Sequence, residues 1–319
     1  MFQVIVFLIA LIGVAIGLWL LGQMKRTRTL AAQAEAAVPP IGRFLNISTG
    51  QLHYTDTGGD GRPVILIHGL GGQLRSLTMT LEDPLSPDFR VIAIDRPGMG
   101  YSDRAESASA RIDDQAGYVE ELIDALGLEK PILMGHSLGG AISCATALRA
   151  PDKVGGLALI APLLRPSEMQ ANSFAALGVT NPTLRRFIAN TVAVPTSAKN
   201  ADLTRTEIFG PEPIPEGYTV KGGGLLSLRP RSFLNTSRDY CAVGEVIVGQ
   251  WKRYDEITCP VRVLYGTEDR ILDHRKQGVE MAEKYPHFQL ELIEGAGHML
   301  PLTQVEKTVE TIRAVDQAI

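Results

Sequence analysis

Hydrophobic positions along this 319-residue chain follow three rhythms. Phe2–Gly22 (FQVIVFLIALIGVAIGLWLLG) is a largely apolar run without a charge. From Gly42 onward, short continuous apolar runs alternate with stretches of helical spacing. Between residues 164 and about 254 that alternation stops.

The short runs predict strands at Pro63–Gly69 (PVILIHG), Arg90–Asp95, Pro131–Gly135, Gly155–Leu163, Pro260–Gly266 and Phe288–Gly295. A continuous apolar run bounded by glycine fits a parallel strand, because helices cover both faces of such a sheet. Upstream, RFLNIS (43–48) and QLHYTDTG (51–58) predict a hairpin turning at Thr49-Gly50. Tyr118, Leu122, Ile123 and Leu126 give Gln115–Leu126 helical spacing. Further helices are expected over Ala141–Arg149, Arg275–Lys284 and Val305–Val315. The pattern predicts an α/β domain over residues 42–319, a mostly parallel eight-stranded sheet flanked by helices. The segment 164–254 holds no convincing strand and a Pro/Gly-rich stretch at Phe209–Gly224. It is too long for a plain loop. It is expected to be a helical lid, inserted after strand 6.

The first run is long enough to span a bilayer core of about 30 Å. Trp19 sits near one end, and Lys25, Arg26 and Arg28 follow at once. A cleaved signal peptide carries its charges before a shorter run. Residues 1–24 are therefore expected to be a retained transmembrane anchor, with the membrane as partner. The positive-inside rule puts the rest of the chain in the cytoplasm. Residues 25–41, with AAQAEAA (31–37) and Pro39-Pro40, read as a linker. The competing reading is signal cleavage in the alanine stretch, which makes the protein periplasmic or secreted.

Charge and cysteine content narrow the classes. A net charge of −4 without a basic stripe speaks against a nucleic-acid partner. Cys144, Cys241 and Cys259 form no CxxC pair, so neither a zinc site nor a disulfide framework is expected.

The candidate chemistry sits at strand ends. In Gly135-His136-Ser137-Leu138-Gly139, Ser137 stands after a predicted buried strand and before a predicted helix. That is the context of a nucleophile elbow, a sharp turn that exposes the hydroxyl beside a helix N-terminus. A nucleophilic serine needs a base, and the base an orienting acid. Asp269 follows the fifth core strand and His298 the sixth, giving the order Ser, Asp, His. Glu268 and Asp273 are rivals for the acid, but Asp273 is expected to cap the helix that starts near His274. Of the other histidines, His136 is expected to pack within the elbow, and His53, His274 and His287 to be surface or turn residues. The Leu138 N–H is the expected first oxyanion donor. The Leu70 N–H, in the glycine-rich loop HGLGGQ (68–73), is the second. In DRPGMGYSD (95–103), Asp95 and Arg96 are expected to fix the loop by hydrogen bonds.

The segments HGLGG, DRPGMGYSD, GHSLGG, GTEDRILD and GAGHML, in this order, resemble the α/β-hydrolase superfamily over residues 42–319. The resemblance implies a Ser137–Asp269–His298 triad, with the acid in a G-x-x-D turn (266–269) and a variable lid at 164–254. Ser137 separates the chain from the aspartate-nucleophile dehalogenases and epoxide hydrolases of this fold. With its apolar N-terminus it looks like membrane-bound monoacylglycerol lipases and bacterial esterases. It implies a serine hydrolase of lipophilic carboxylic esters that needs no cofactor or metal. Carbon–carbon bond hydrolases and iminopeptidases share the triad and lid, and stay open as alternatives. So does a non-catalytic module that binds a small ligand under the lid.

Overall fold

The computed structural model describes residues 1–166 and 176–319. The chain opens with a long helix, α1 (Phe2–Ala37), then enters the sheet through β1 (Arg43–Ile47), β2 (Gly50–Asp56) and β3 (Arg62–Ile67). There follow α2 (Arg75–Leu85), β4 (Phe89–Ile94), α3 (Ile112–Ala125), β5 (Ile132–His136), α4 (Leu138–Arg149) and β6 (Gly156–Ile160). Four helices then come in sequence: α5 (Pro182–Ile188), α6 (Val194–Lys199), α7 (Ala201–Phe209) and α8 (Pro230–Gln250). The chain ends with β7 (Val261–Gly266), α9 (Glu280–Lys284), β8 (Phe288–Ile293), α10 (Leu300–Thr303) and α11 (Val305–Asp316).

The eight strands form one sheet in the order β1-β2-β4-β3-β5-β6-β7-β8. Only the pairings of β2 are antiparallel. The apolar runs become its centre: Val64–Ile67, Ile132–Met134 and Leu157–Ile160 are completely buried. Helices on both faces hide every side chain there, so the strands lack a polar phase. The edge strand β8 does alternate between covered and exposed positions over Phe288–Glu291, before the exposed Leu292.

The segment between β6 and β7 contains only helices and turns among the described residues, and residues 167–175 of the expected lid lie outside them. A π-turn at Ala189–Ala193 joins α5 to α6. A tight turn at Gly224–Leu228 leads into α8.

Three expectations need adjusting. The stretch 25–41 is not an open linker, because α1 runs on as helix to Ala37. Its alanines favour helix, and one face of it is covered. Thr27 and Ala34 are buried, as is Val38 just beyond, and Thr27 Oγ1 donates to the Thr191 carbonyl at 2.8 Å. The hairpin turns one residue earlier than expected, since Gly50 already pairs with Ile47. Helix α3 starts at Ile112, with Asp113 and Asp114 in a first turn that favours acidic residues.

The N-terminal part of α1 stands away from the domain, with Phe7, Ile9, Leu18 and Leu21 exposed. Among the described residues, α1 is the one helix long and apolar enough to cross a membrane, and a signal sequence passes the same test.

Candidate active site

Ser137 sits between β5 and α4 at φ 54°, ψ −119°, a conformation that a residue with a side chain rarely adopts. The surrounding backbone enforces it. A Cβ on Gly139 would overlap the Ile67 carbonyl oxygen, and one on Gly69 would lie 2.9 Å from the Ser137 Cβ. Only glycine lets the two loops approach this closely. The Ser137 N–H bonds the Ile160 carbonyl at 3.1 Å, and its own carbonyl accepts from Gly140 and Leu163.

Asp269 and His298 meet beyond the ends of β7 and β8. His298 Nδ1 lies 2.7 Å from Asp269 Oδ2, and both side chains are almost fully buried. A carboxylate only accepts, so His298 Nδ1 donates and Nε2 is left as the acceptor. Asp269 Oδ1 accepts from the Ile271 and Leu272 N–H groups at 2.7 and 2.9 Å, which fixes the carboxylate. The rivals lie elsewhere: Glu268 is exposed, and Asp273 accepts from the Arg275 N–H at 3.0 Å as a cap.

Ser137, His298 and Leu70 line one cavity of about 540 Å³. Its walls come from the lid (Ile208, Leu225) and from the loops at the strand ends (Met99, Met299). Leu138 is the first residue of α4, where the N–H has no partner within the helix. No hydrogen bond among the described residues uses the N–H of Leu138 or of Leu70.

The remaining histidines divide by burial. His136 packs behind the elbow as expected, its Nε2 donating to the His298 carbonyl at 3.0 Å. Burial, and secondarily His298, pushes its pKa down to about 3. His53 is not a surface residue: it is 1% exposed, and its Nδ1 lies 2.6 Å from Asp95 Oδ2. Strand β2 is covered on both faces over Leu52–Thr55, so its alternation gives no warning of this. Asp95 also accepts from the Leu74 and Tyr101 N–H groups at 2.7 and 2.8 Å, which ties together the loops around the cavity. Among the described residues, no group of three His, Cys, Asp or Glu side chains converges as a metal site would require.

A family model described as alpha/beta hydrolase fold matches residues 62–212. Together with the eight-stranded sheet and the turn at Ser137, this decides the fold. The chain has the α/β-hydrolase fold. Among the proteins this chain resembles is the dihydrolipoyllysine-residue acetyltransferase component of the acetoin-cleaving system of Cupriavidus necator. It is 34% identical over 121 residues, which cover 38% of this chain and 32% of that protein. The (E)-2-((N-methylformamido)methylene)succinate hydrolase of Acinetobacter baylyi is 26% identical, over 86% of this chain and 97% of that one. Among solved structures, a bacterial membrane phospholipase A superposes with a TM-score of 0.69 at 22% identity, covering 99% of this chain and 98% of the other. A carboxylesterase of Bacillus subtilis gives 0.66 at 21% identity, over 92% and 98%. At these identities the structural likeness speaks for the fold alone.

Proposed function

We propose that this protein is a serine hydrolase of lipophilic carboxylic esters. The observation that carries the reading is the 2.7 Å His298–Asp269 contact beside a cavity that Ser137 also lines. Ser137 Oγ attacks the ester carbonyl and its proton passes to His298 Nε2. Asp269 holds the ring in the tautomer this needs and stabilises the imidazolium. The Leu70 and Leu138 N–H groups receive the oxyanion. The C–O bond then breaks, the alcohol leaves with the proton from His298, and water activated by the same imidazole releases the acid.

Ile208, Leu225, Leu226 and Leu228 give the lid wall an apolar surface that suits acyl chains, beside Arg205 and Arg229. The apolar helix at the N-terminus supports a tether to the membrane with the catalytic domain in the cytoplasm, where lipid esters are at hand. Initial rates on p-nitrophenyl esters of two to sixteen carbons, in detergent and beside Ser137→Ala, test the proposal. The expected result is a serine-dependent maximum at medium or long chains. Undiminished turnover by Ser137→Ala would overturn it.

A second reading has its own support. The A. baylyi relative, and a 2-hydroxy-6-oxononadienedioate/2-hydroxy-6-oxononatrienedioate hydrolase of Dechloromonas aromatica at 25% identity over 91% of its length, carry names that are not ester hydrolases. A chain inert on every ester but active on a vinylogous 1,5-diketone would favour carbon–carbon cleavage by the same residues.

A further inference from the structure

The loop that carries Leu70 is held from behind, and the hold extends into the lid. Arg96, in the loop after β4, is 1% exposed. Its Nε donates to the His68 carbonyl at 3.0 Å and its Nη2 to the Gly69 carbonyl at 2.9 Å. The Arg96 backbone N–H donates to His68 Nε2 at 3.0 Å. That leaves His68 Nδ1 as the protonated nitrogen, and it donates to the same Gly69 carbonyl at 2.8 Å. The Gly72 N–H adds a third donor to that oxygen at 3.2 Å. His68 stays neutral because burial, and secondarily Arg96, pushes its pKa down to about 3.

The geometry then reaches the reacting atoms in one step. The Gly69 C=O and the Leu70 N–H belong to one planar trans peptide and point in opposite directions. Three donors pin the oxygen on one side, so the N–H is fixed on the other. A guanidinium on the oxygen also polarises the peptide and strengthens its N–H as a donor.

Arg96 is itself held from the lid. Its Nη1 donates to Asp239 Oδ2 at 2.8 Å, and Asp239 lies on α8 and is completely buried. Arg104 Nη1 stands 2.7 Å from the other Asp239 oxygen. Burial alone would raise the Asp239 carboxyl, but Arg104 and Arg96 hold it below the usual carboxylate range. The second anchor of Arg96 Nη1 is Gln115 on α3.

We propose that Arg96 and Asp239 are positioning residues for the oxyanion donor, a strut that makes the aim of the Leu70 N–H depend on the seating of lid helix α8. This rests on the proposed roles of Ser137 and Leu70. The strut touches no substrate, so it acts on the transition state and leaves ground-state binding alone.

The test uses full-length protein in detergent, with Arg96→Lys and Asp239→Asn beside wild type. Lysine keeps the charge but cannot span both carbonyls and Asp239. Arg96→Lys is expected to lower kcat about 10²-fold, the lower end for losing an oxyanion donor, and Asp239→Asn about 10-fold. KM should stay within about twofold for both. The Ki of a trifluoromethyl ketone, whose adduct carries the oxyanion, should rise in proportion to the loss of kcat/KM. A purely structural role would lower Tm or raise KM and leave that proportion broken. Unchanged kcat, or an unchanged Ki beside a fallen kcat, overturns the strut. Should Arg96→Lys fail to fold, the isosteric Asp239→Asn carries the same comparison. Activity surviving in Ser137→Ala removes the proposed function itself. An inactive Ser137→Ala beside an unaffected Arg96→Lys removes only the strut.

Discussion

Replacing Asp269 with asparagine separates orientation from charge at the candidate site. The two side chains have the same shape, so only the hydrogen-bond code changes. Asp269 Oδ1 accepts two backbone N–H groups at 2.7 and 2.9 Å, and Oδ2 faces the His298 Nδ1–H at 2.7 Å. An asparagine must turn its oxygen toward the two N–H groups, because its NH2 there would set donor against donor. The NH2 then faces His298 Nδ1, which can only accept from it. The proton moves to Nε2, and the ring can no longer receive the serine proton. A base held in the wrong tautomer typically loses about 10⁴ in kcat, equivalent to roughly 5.5 kcal/mol of barrier. KM should change little, since Asp269 does not line the cavity. The assay is p-nitrophenyl ester turnover at neutral pH, with reaction toward a fluorophosphonate as a second measure of serine activation. Activity of Asp269→Asn within about tenfold of wild type would refute the assignment of Asp269 as the orienting acid.

Ser137→Gly should abolish turnover yet raise stability by about 1 kcal/mol, because a side chain at φ 54° carries strain that glycine lacks; urea unfolding beside wild type measures it. Stability should fall as pH drops below about 6.5, since His68 and His136 are held near pKa 3 in the fold and charge first in the unfolded chain. Each contributes up to about 1.4 kcal/mol per pH unit between those limits. Unfolding midpoints at pH 7, 6 and 5 check this, and a flat profile counts against it. Thr27→Val removes a buried donor from the Thr191 carbonyl and should cost about 1–2 kcal/mol, visible as a lower Tm. Deleting residues 1–22 should leave a folded domain, whereas deleting 1–37 should lower its Tm by several degrees.

What the sequence reveals follows from how local each feature is. The central strands are legible because burial on both faces writes itself as an uninterrupted apolar run, as in Val64–Ile67. The turn at Ser137 is legible because close approach of two backbones demands glycine at 135 and 139. Long-range polar pairing leaves no such trace. Arg96 and Asp239 are 143 residues apart, and neither neighbourhood hints at the other. His53 looks like any polar residue in a hairpin, and only the fold brings Asp95 to it. The stretch 25–41 misleads for a related reason. A small-residue helix that packs closely on a partner has the composition of a spacer, and only the buried face of Thr27 and Ala34 tells them apart.

That face bears on whether the apolar N-terminus is kept. Cleavage within Ala31–Ala37 would remove Thr27 and strip its donor from the Thr191 carbonyl, which the fold buries. Glu35, 3.6 Å from Arg229 Nη1, lies in the same stretch. That guanidinium is buried against the Tyr101 ring. A buried charge that loses its counter-charge is costly. The last turns of α1 therefore behave as part of the lid's packing. Arg229 lines the cavity with Ser137, and its Nη2 donates to the Gly100 carbonyl at 2.6 Å. One continuous helix thus connects the apolar run to the wall of the cavity. A flexible tether would only raise the local concentration of substrate. A docked helix instead sets the position of that run relative to the cavity, and cleavage within Ala31–Ala37 would cost the fold those contacts.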